Sequence, residues 1–397
     1  MLSSRGFRNV QELGRPWRFT PTPDYDPESN PTGLISFGMA ENITFTTDSV
    51  SYRSSATINA RLPGVAAAHM NKLLRPHDPI QPEHVFVADS PTSLGNMLGY
   101  NLAERGEAIL VNRPVYGRFE LDYGVEAGVE IFYADTTTEE VFHPDAVAKY
   151  EEALLAAEKR GLKIRAVLLV NPNNPVGRCY PANTLRHIAR FCEKHRLHLI
   201  SDEVYASCVF DTGDPRAVPF SSILSLDFQG LIDPSLVHVL YGFSKDFASG
   251  GLHLGFLVTQ NEQLRQACKM ILRLHGPSQA AVTIGTAILE DQDFVSRFTA
   301  QSRRSLAAGY QLVTSTLDRE GINYIKGGNA GFFIYIDLSP FLPASKESLR
   351  EQEFALAQKF VEAGVFLHPG EEHGKEAGWF RLVFSHDEKT LKEGLRR

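Results

Sequence analysis

Nothing in this chain points to a metal, a membrane span or a nucleic-acid partner. The four cysteines, Cys179, Cys192, Cys208 and Cys268, form no CxxC pair and no Cys/His ligand spacing. A zinc site or disulfide framework is therefore not expected, and the thiols read as reduced groups of an intracellular protein. No apolar run approaches the roughly 20 residues that a membrane span needs. Basic residues are not in excess. Lys+Arg number 40 against 47 Asp+Glu, a net charge of −7, which offers no attraction to nucleic acid or an anionic membrane. The opening MLSSRGFRNVQELGR lacks the apolar segment of a secretory signal, and the early Glu12 argues against a mitochondrial presequence. A cytoplasmic location is expected. No internal repeat or low-complexity tract is present.

What is present is a chain of 397 residues with 43% hydrophobic content, enough for a large core and two domains. Residues 1–50 are irregular; Arg15 to Gly33 alone holds five prolines, as a docking arm or exposed loop would. From residue 84 the pattern changes to short apolar runs: His84–Ala88, Ala108–Val111, Val129–Ala134, Arg165–Val170, Leu197–Ser201, Leu236–Tyr241 and His253–Val258. They are continuous rather than alternating, as strands covered on both faces should be. Amphipathic stretches such as Pro144–Arg160 and Pro181–Arg196 lie between most of them. This alternation predicts an α/β fold with a mainly parallel, seven-stranded, doubly wound sheet. Helical stretches follow over Glu262–His275 and Ser278–Arg319, then a smaller α+β unit with strands at Asn329–Ile336 and Trp379–Phe384. The expected division is an arm with part of the small domain at 1–50, a large domain at 51–290 and a small C-terminal domain at 291–397.

Ligands of doubly wound sheets bind beyond the carboxyl ends of the strands, so the residues after each run are the candidates. Leu240 to Gly255 places one lysine, Lys245, in a loop of small residues between two buried runs. A lysine desolvated in such a crevice loses its proton more easily and can form a Schiff base. After Val170 comes Asn171-Pro172-Asn173-Asn174-Pro175-Val176-Gly177, a rigid turn from which Asn174 could donate a hydrogen bond. Asp202 is the first acidic side chain at the end of its run, where a carboxylate is costly unless paired; Tyr205 follows three residues later. Ser90-Pro91-Thr92 reads as a helix start with Ser90 as cap and Pro91 in the first position. Such a helix end attracts anions, although Pro91 has no N–H to offer. Tyr116 could stack on a flat ring or simply pack in the core. Glu41, in Gly38-Met39-Ala40-Glu41-Asn42, could reach a cleft or cap a turn.

In this order the motifs resemble the pyridoxal-phosphate enzymes of fold type I, the class I/II aminotransferases. Within them the chain is most similar to the 1-aminocyclopropane-1-carboxylate synthases and their fungal relatives. The resemblance covers roughly residues 34–385 and rests on the segments above together with Ser201–Tyr205, Ser244-Lys245-Asp246, Asn329-Ala330-Gly331 and Gly378-Trp379-Phe380-Arg381. It implies pyridoxal 5′-phosphate as cofactor and an α-amino acid or keto acid as substrate. Lys245 matches the Schiff-base lysine and proton shuttle, and Asp202 the partner of the pyridine nitrogen. Asn174 and Tyr205 match the residues at the ring's phenolic oxygen, Asn174 also bordering the substrate, and Tyr116 the aromatic stacked on the ring. Arg381 matches the arginine that grips the substrate carboxylate, and Glu41 a glutamate near the substrate. Transamination and a β- or γ-lyase or replacement reaction are both compatible with this set. The resemblance also implies a homodimer, with residues around Tyr52–Arg61 completing the partner's site.

The departures from the family pattern concentrate where it binds the cofactor phosphate. Gly242 stands in place of a serine, His253 in place of an arginine and Pro91 in place of a small residue. The aromatic that reaches across from the partner aligns with Ala56, with Tyr52 close by. Thr92 and Ser244 remain. Two readings follow. Either His253, Thr92, Tyr52 or Arg53 compensates, or the fold is repurposed and its phosphate binding weakened, in the limit without catalysis.

Overall fold

The structure, a computed structural model, describes residues 23, 25–36, 61–374 and 376–397. Glu41, Tyr52, Arg53, Ala56 and most of the expected N-terminal arm lie outside the described residues.

A short strand β1 (Ile35–Ser36) precedes the seven expected runs, each of which forms a strand: β2 (Val85–Ala88), β3 (Ala108–Arg113), β4 (Glu130–Asp135), β5 (Ile164–Val170), β6 (His198–Asp202), β7 (Val237–Gly242) and β8 (Gly255–Thr259). These seven make one sheet in the order β2-β8-β7-β6-β5-β3-β4. β8 runs antiparallel to β7 and β2, and the remaining neighbours are parallel. Parallel neighbours need a crossover, normally a full helix. Between β7 and β8 the only α-helix is Phe243–Asp246, of 4 residues, so β8 turns directly back.

The continuous hydrophobicity of the runs has a plain geometric cause. Successive side chains on a strand point to opposite faces, and both faces here are dry. Ala108 and Leu110, Val167 and Leu169, and Phe256 and Val258 join one core cluster. Ile109 and Val111, Ala166 and Leu168, and Leu257 join another. The first is covered by helices that include Leu62–Leu74, Val147–Lys159, Ala182–His195 and Gln279–Glu290; the second by Pro91–Leu102 and Glu262–His275.

A third core belongs to the smaller sheet, built from β9 (Asn323–Tyr324), β10 (Phe333–Asp337), β12 (His368–Pro369) and β13 (Trp379–Val383) in the order β12-β13-β10-β9, while β11 (Val365–Phe366) pairs with β1. The helical stretch expected over Ser278–Arg319 is two helices, Gln279–Glu290 and Gln292–Arg319. Asp291 breaks it, because its carboxylate accepts from the Phe294 N–H at 2.8 Å and starts a new helix as an N-cap. The second helix joins both regions: Val295 and Phe298 pack in the large-sheet core, and Leu306, Val313 and Leu317 in the small-sheet core. The strand expected from Asn329 begins only at Phe333. Before it, the Asn329 and Ala330 N–H groups donate to the Gly177 carbonyl at 2.9 and 3.0 Å, tying the two sheets together. Gly177 has φ 73°, and a Cβ there would lie 2.8 Å from the Phe333 carbonyl oxygen, so both backbone shape and contact require glycine.

Candidate active site

The carboxyl ends of β2, β3, β5, β6 and β7 open onto a cavity of about 530 Å³, within the usual range for a small-molecule site. Pro91, Thr92, Tyr116, Asn174, Asp202, Tyr205, Ser244, Lys245, His253 and Arg381 all line it. Except for Arg381, which comes from the smaller sheet, they lie at strand ends of the large sheet, which meet at one edge. Glu41 is the expected site residue that lies outside the described residues.

Asp202 ends β6, between Val170 of β5 and Leu240 of β7. One of its oxygens accepts from the Val204 N–H at 3.3 Å. Burial pushes its pKa up to about 7, an effect that the Val204 hydrogen bond and the Lys245 charge oppose and the Asp122 charge reinforces. Its neighbour Glu203 points away from the cavity. It is fully buried and accepts from the Ser201 hydroxyl and the Ile223 N–H, each at 2.9 Å. Adjacent acids thus divide between a cavity and a structural anchor.

Lys245 is half-buried in the one-turn helix after β7, and the residue that follows it holds its backbone in place. Asp246 is buried and accepts from the Ser207 N–H at 3.0 Å and the Cys208 thiol at 3.3 Å. The Tyr241 hydroxyl also hydrogen-bonds to it, and His69 Nε2 lies 3.1 Å from that hydroxyl. Burial raises the Asp246 pKa to about 6. Sequence reasoning assigned no role to Asp246, Tyr241 or His69. Their signal was only an acid next to a lysine, and the long-range partners were invisible.

Arg381 is 4% exposed and sits mid-strand in β13, opposite Tyr335 of β10 and His368 of β12. Its Nη1 donates to Asn174 Oδ1 at 3.0 Å, and its guanidinium carbon lies 5.8 Å from the Phe333 ring centroid. That hydrogen bond spans 207 positions of sequence and orients the Asn174 amide, leaving the NH₂ side as its donor. Tyr205 packs edge-on against Phe332 and Phe333, with centroids at 5.4 and 5.3 Å. Tyr116 meets Phe119 edge-on at 5.2 Å, and burial pushes its phenol up to about 12.

The helix Phe119–Gly124 contributes two lining residues that sequence reasoning missed, Asp122 and Tyr123. Burial lifts Asp122 to about 6, against the pull of Arg118. Tyr123 is 1% exposed, and its hydroxyl has no hydrogen-bond partner among the described residues. Its ring lies against Gly95, where a Cβ would stand 3.2 Å from Tyr123 Cζ. Neither residue follows a strand directly, so a survey of strand ends passes over both.

Comparison with known proteins agrees with this geometry. The family model for aminotransferase class I and II matches residues 63–397. The 1-aminocyclopropane-1-carboxylate synthase-like protein 1 of Homo sapiens is 32% identical over 426 aligned positions, covering 100% of this chain and 82% of that protein. A probable aminotransferase, aclI, of Aspergillus oryzae is 32% identical over 360 positions, covering 88% of this chain and 82% of its own. Among solved structures, Thermus thermophilus aspartate aminotransferase with maleate superposes with a TM-score of 0.73 at 20% identity, over 91% of this chain and 90% of the other. An aromatic aminotransferase from Pyrococcus horikoshii gives 0.73 at 22% identity, over 91% and 93%. At these identities the two structures speak for the fold.

Proposed function

This chain belongs to the aminotransferase class I and II family and is a pyridoxal-phosphate-dependent enzyme; from that premise we propose that it acts on an α-amino acid held between Arg381 and Lys245. The observation that carries the reading is the lining of one cavity by Lys245, Asp202 and Arg381. A non-catalytic or repurposed role is not favoured by this family membership.

The ring end of the site fits the cofactor on its own chemistry. Asp202 is an acid that burial holds near 7, and a cationic ring nitrogen brought against it would return it to its ionised form. Asn174 keeps a donor for a phenolic oxygen, with Tyr205 beside it, and the Tyr116 ring offers a face to stack on. When bound, the cofactor supplies an aldehyde for the lysine amine and a ring that takes up the electron pair left on the substrate α-carbon.

The protein's own residues do the rest. Arg381 presents paired N–H donors to the substrate carboxylate and so orients the α-carbon. Lys245 Nζ removes the α-proton and returns it. Asp202 holds the opposing negative charge. Delivery of that proton by Lys245 Nζ to a different carbon would correspond to amino transfer; departure of a β- or γ-substituent of the substrate would correspond to a lyase or replacement reaction. Relatives named as synthases and as an aminotransferase stand on both sides of this choice.

The reading is tested by adding pyridoxal phosphate to the purified protein. A visible absorbance band is expected in the wild type and not in Lys245→Ala; a band indifferent to that substitution contradicts the proposal. Keto-acid release from a panel of amino acids then separates the reactions, since amino transfer requires a second keto acid as acceptor. Arg381→Lys is expected to raise KM by about 10–100-fold with a smaller change in kcat, because a point charge replaces a planar fork. An unchanged KM would remove Arg381 from carboxylate binding. The assembly is proposed to be a homodimer. Met270 and Leu274 of the helix Glu262–His275 are 78% and 80% exposed, an apolar cost that a second copy would relieve. Sedimentation showing only monomer at micromolar concentration contradicts this.

A further inference from the structure

The two edges of the cofactor ring meet very different parts of this protein. In a pyridoxal-type ring the nitrogen and the aldehyde carbon are opposite one another. The phenolic oxygen leaves on one side of that axis and the 5′-substituent on the other. Asp202 ends the central strand β6, while β5 and β3, which carry Asn174 and Tyr116, lie on one side of it in the sheet. β7, β8 and β2 lie on the other side and bring Gly242, Ser244, His253 and Ser90–Thr92 to the cavity. With the nitrogen at Asp202 and the phenolic oxygen near Asn174, the 5′-group faces this second set.

That set is poor in anion ligands. A helix N-terminus binds phosphate through unused N–H groups, and the helix Pro91–Leu102 has few to give. Pro91 has no N–H. The Ser93 N–H is already taken by Ser90 Oγ at 3.1 Å, and the Leu94 N–H by the Ser90 carbonyl at 3.1 Å. Thr92 is left. The Ser90 hydroxyl donates at 3.2 Å to Asp89, which adds a negative charge behind the helix start. Gly242 has no side chain, and there is no room for one: a Cβ there would lie 2.7 Å from Pro91 Cγ. Pro91 and Gly242 therefore form one packed unit. Of the described residues lining this side, His253 is the one cationisable group besides Lys245. It is exposed and sits in the left-handed region at φ 52°.

We propose that this site takes its affinity for the cofactor from the ring and from covalent capture by Lys245, and gains little from the 5′-phosphate, so that an unphosphorylated pyridoxal-type aldehyde is bound nearly as well. The proposal rests on the cofactor reading above and specifies which end of the ligand is recognised. Each charged hydrogen bond to a phosphate contributes roughly 1.5–3 kcal/mol net, about 10–100-fold in affinity. A site with several would discriminate by well over a thousandfold. Among the described residues, this one offers neutral donors from Thr92 and Ser244 and a single histidine.

The test compares pyridoxal 5′-phosphate with 5′-deoxypyridoxal, which carries a methyl group in place of the phosphate ester and cannot close onto its own aldehyde. Both are titrated into the full-length protein, following the visible band that depends on Lys245. Dissociation constants within about 100-fold of one another are expected, the equivalent of at most one or two charged contacts. A larger preference for the phosphate ester overturns the proposal. If neither aldehyde produces the band, the cofactor reading itself fails and takes the proposal with it, a result distinct from a strong phosphate preference. The triple variant P91A/G242S/H253R is expected to raise the preference for the phosphate ester at least about tenfold; an unchanged preference removes these residues from the phosphate end. Gly242→Ser alone is expected to lower the melting temperature, and adding Pro91→Ala to recover part of the loss, because the closest contact of a Cβ there is the proline ring, at 2.7 Å, while the Leu254 carbonyl oxygen stays at 3.1 Å.

Discussion

Lys245→Ala is expected to lower turnover by at least about 10⁴-fold, since loss of a positioned general base alone costs about 10²–10⁴ and the covalent anchor disappears with it. The fold should survive. Lys245 is half-buried and lines the cavity, while the segment that carries it is held through Asp246 by Ser207, Cys208 and Tyr241. None of those contacts involves the lysine side chain. Melting temperature without cofactor should therefore be close to wild type, and the visible band should vanish. Retained turnover within tenfold of wild type would sink the assignment. If the phosphate end is as weak as its donors indicate, this variant should also release pyridoxal phosphate on gel filtration, a loss measured without reference to activity.

Asp202→Asn is expected to move two observables in opposite directions. With cofactor, an uncharged amide replaces the counter-charge to the ring nitrogen. Breaking a buried ion pair costs about 3–5 kcal/mol, so turnover should fall by about 10²–10⁴-fold. Without cofactor, the same change should stabilise the protein. The Asp202 pKa is raised from 3.8 to about 7, chiefly by burial. A carboxyl whose folded pKa lies above its unfolded value contributes stability that is complete below about pH 4 and lost as pH rises through about 7. Asparagine, which does not titrate, escapes that loss. The melting temperature of cofactor-free Asp202→Asn relative to wild type should then increase from pH 5 to pH 8. Buried histidines such as His69 and His238, whose pKa values burial lowers, are common to both proteins and cancel in the difference. A merely structural Asp202 predicts lower stability and lower activity together, so a parallel fall in both would contradict the role.

Much of the large sheet was legible because its strands are buried on both faces. Leu168 and Leu169 look alike as letters although they point to opposite cores, and that double burial made the continuous apolar run a reliable sign. The strand-end survey then reached Lys245, Asp202, Asn174 and Tyr116, because doubly wound topology gathers those ends on one edge. Arg381 came from the family resemblance; mid-strand in a different sheet, it offers no positional cue of its own. Asp122 and Tyr123 escaped because they sit inside a helix, where an acid and an aromatic usually mean a solvated face and a packed one. The helical stretch expected over Ser278–Arg319 is helical but divides at Asp291, a break that periodicity does not show because the cap depends on one side-chain hydrogen bond.

The chain's chemistry, then, could be read without coordinates: which residues can capture an aldehyde, balance a ring charge or grip a carboxylate, and in what order they arrive. Their mutual service could not. The Arg381–Asn174 hydrogen bond joins two sheets, the His69–Tyr241–Asp246 chain steadies the lysine, and the Pro91 ring fills the space that a side chain at position 242 would need. Residue type sets what a group can do within a few bonds of itself. Burial, partner and steric exclusion arise only when distant segments are packed together.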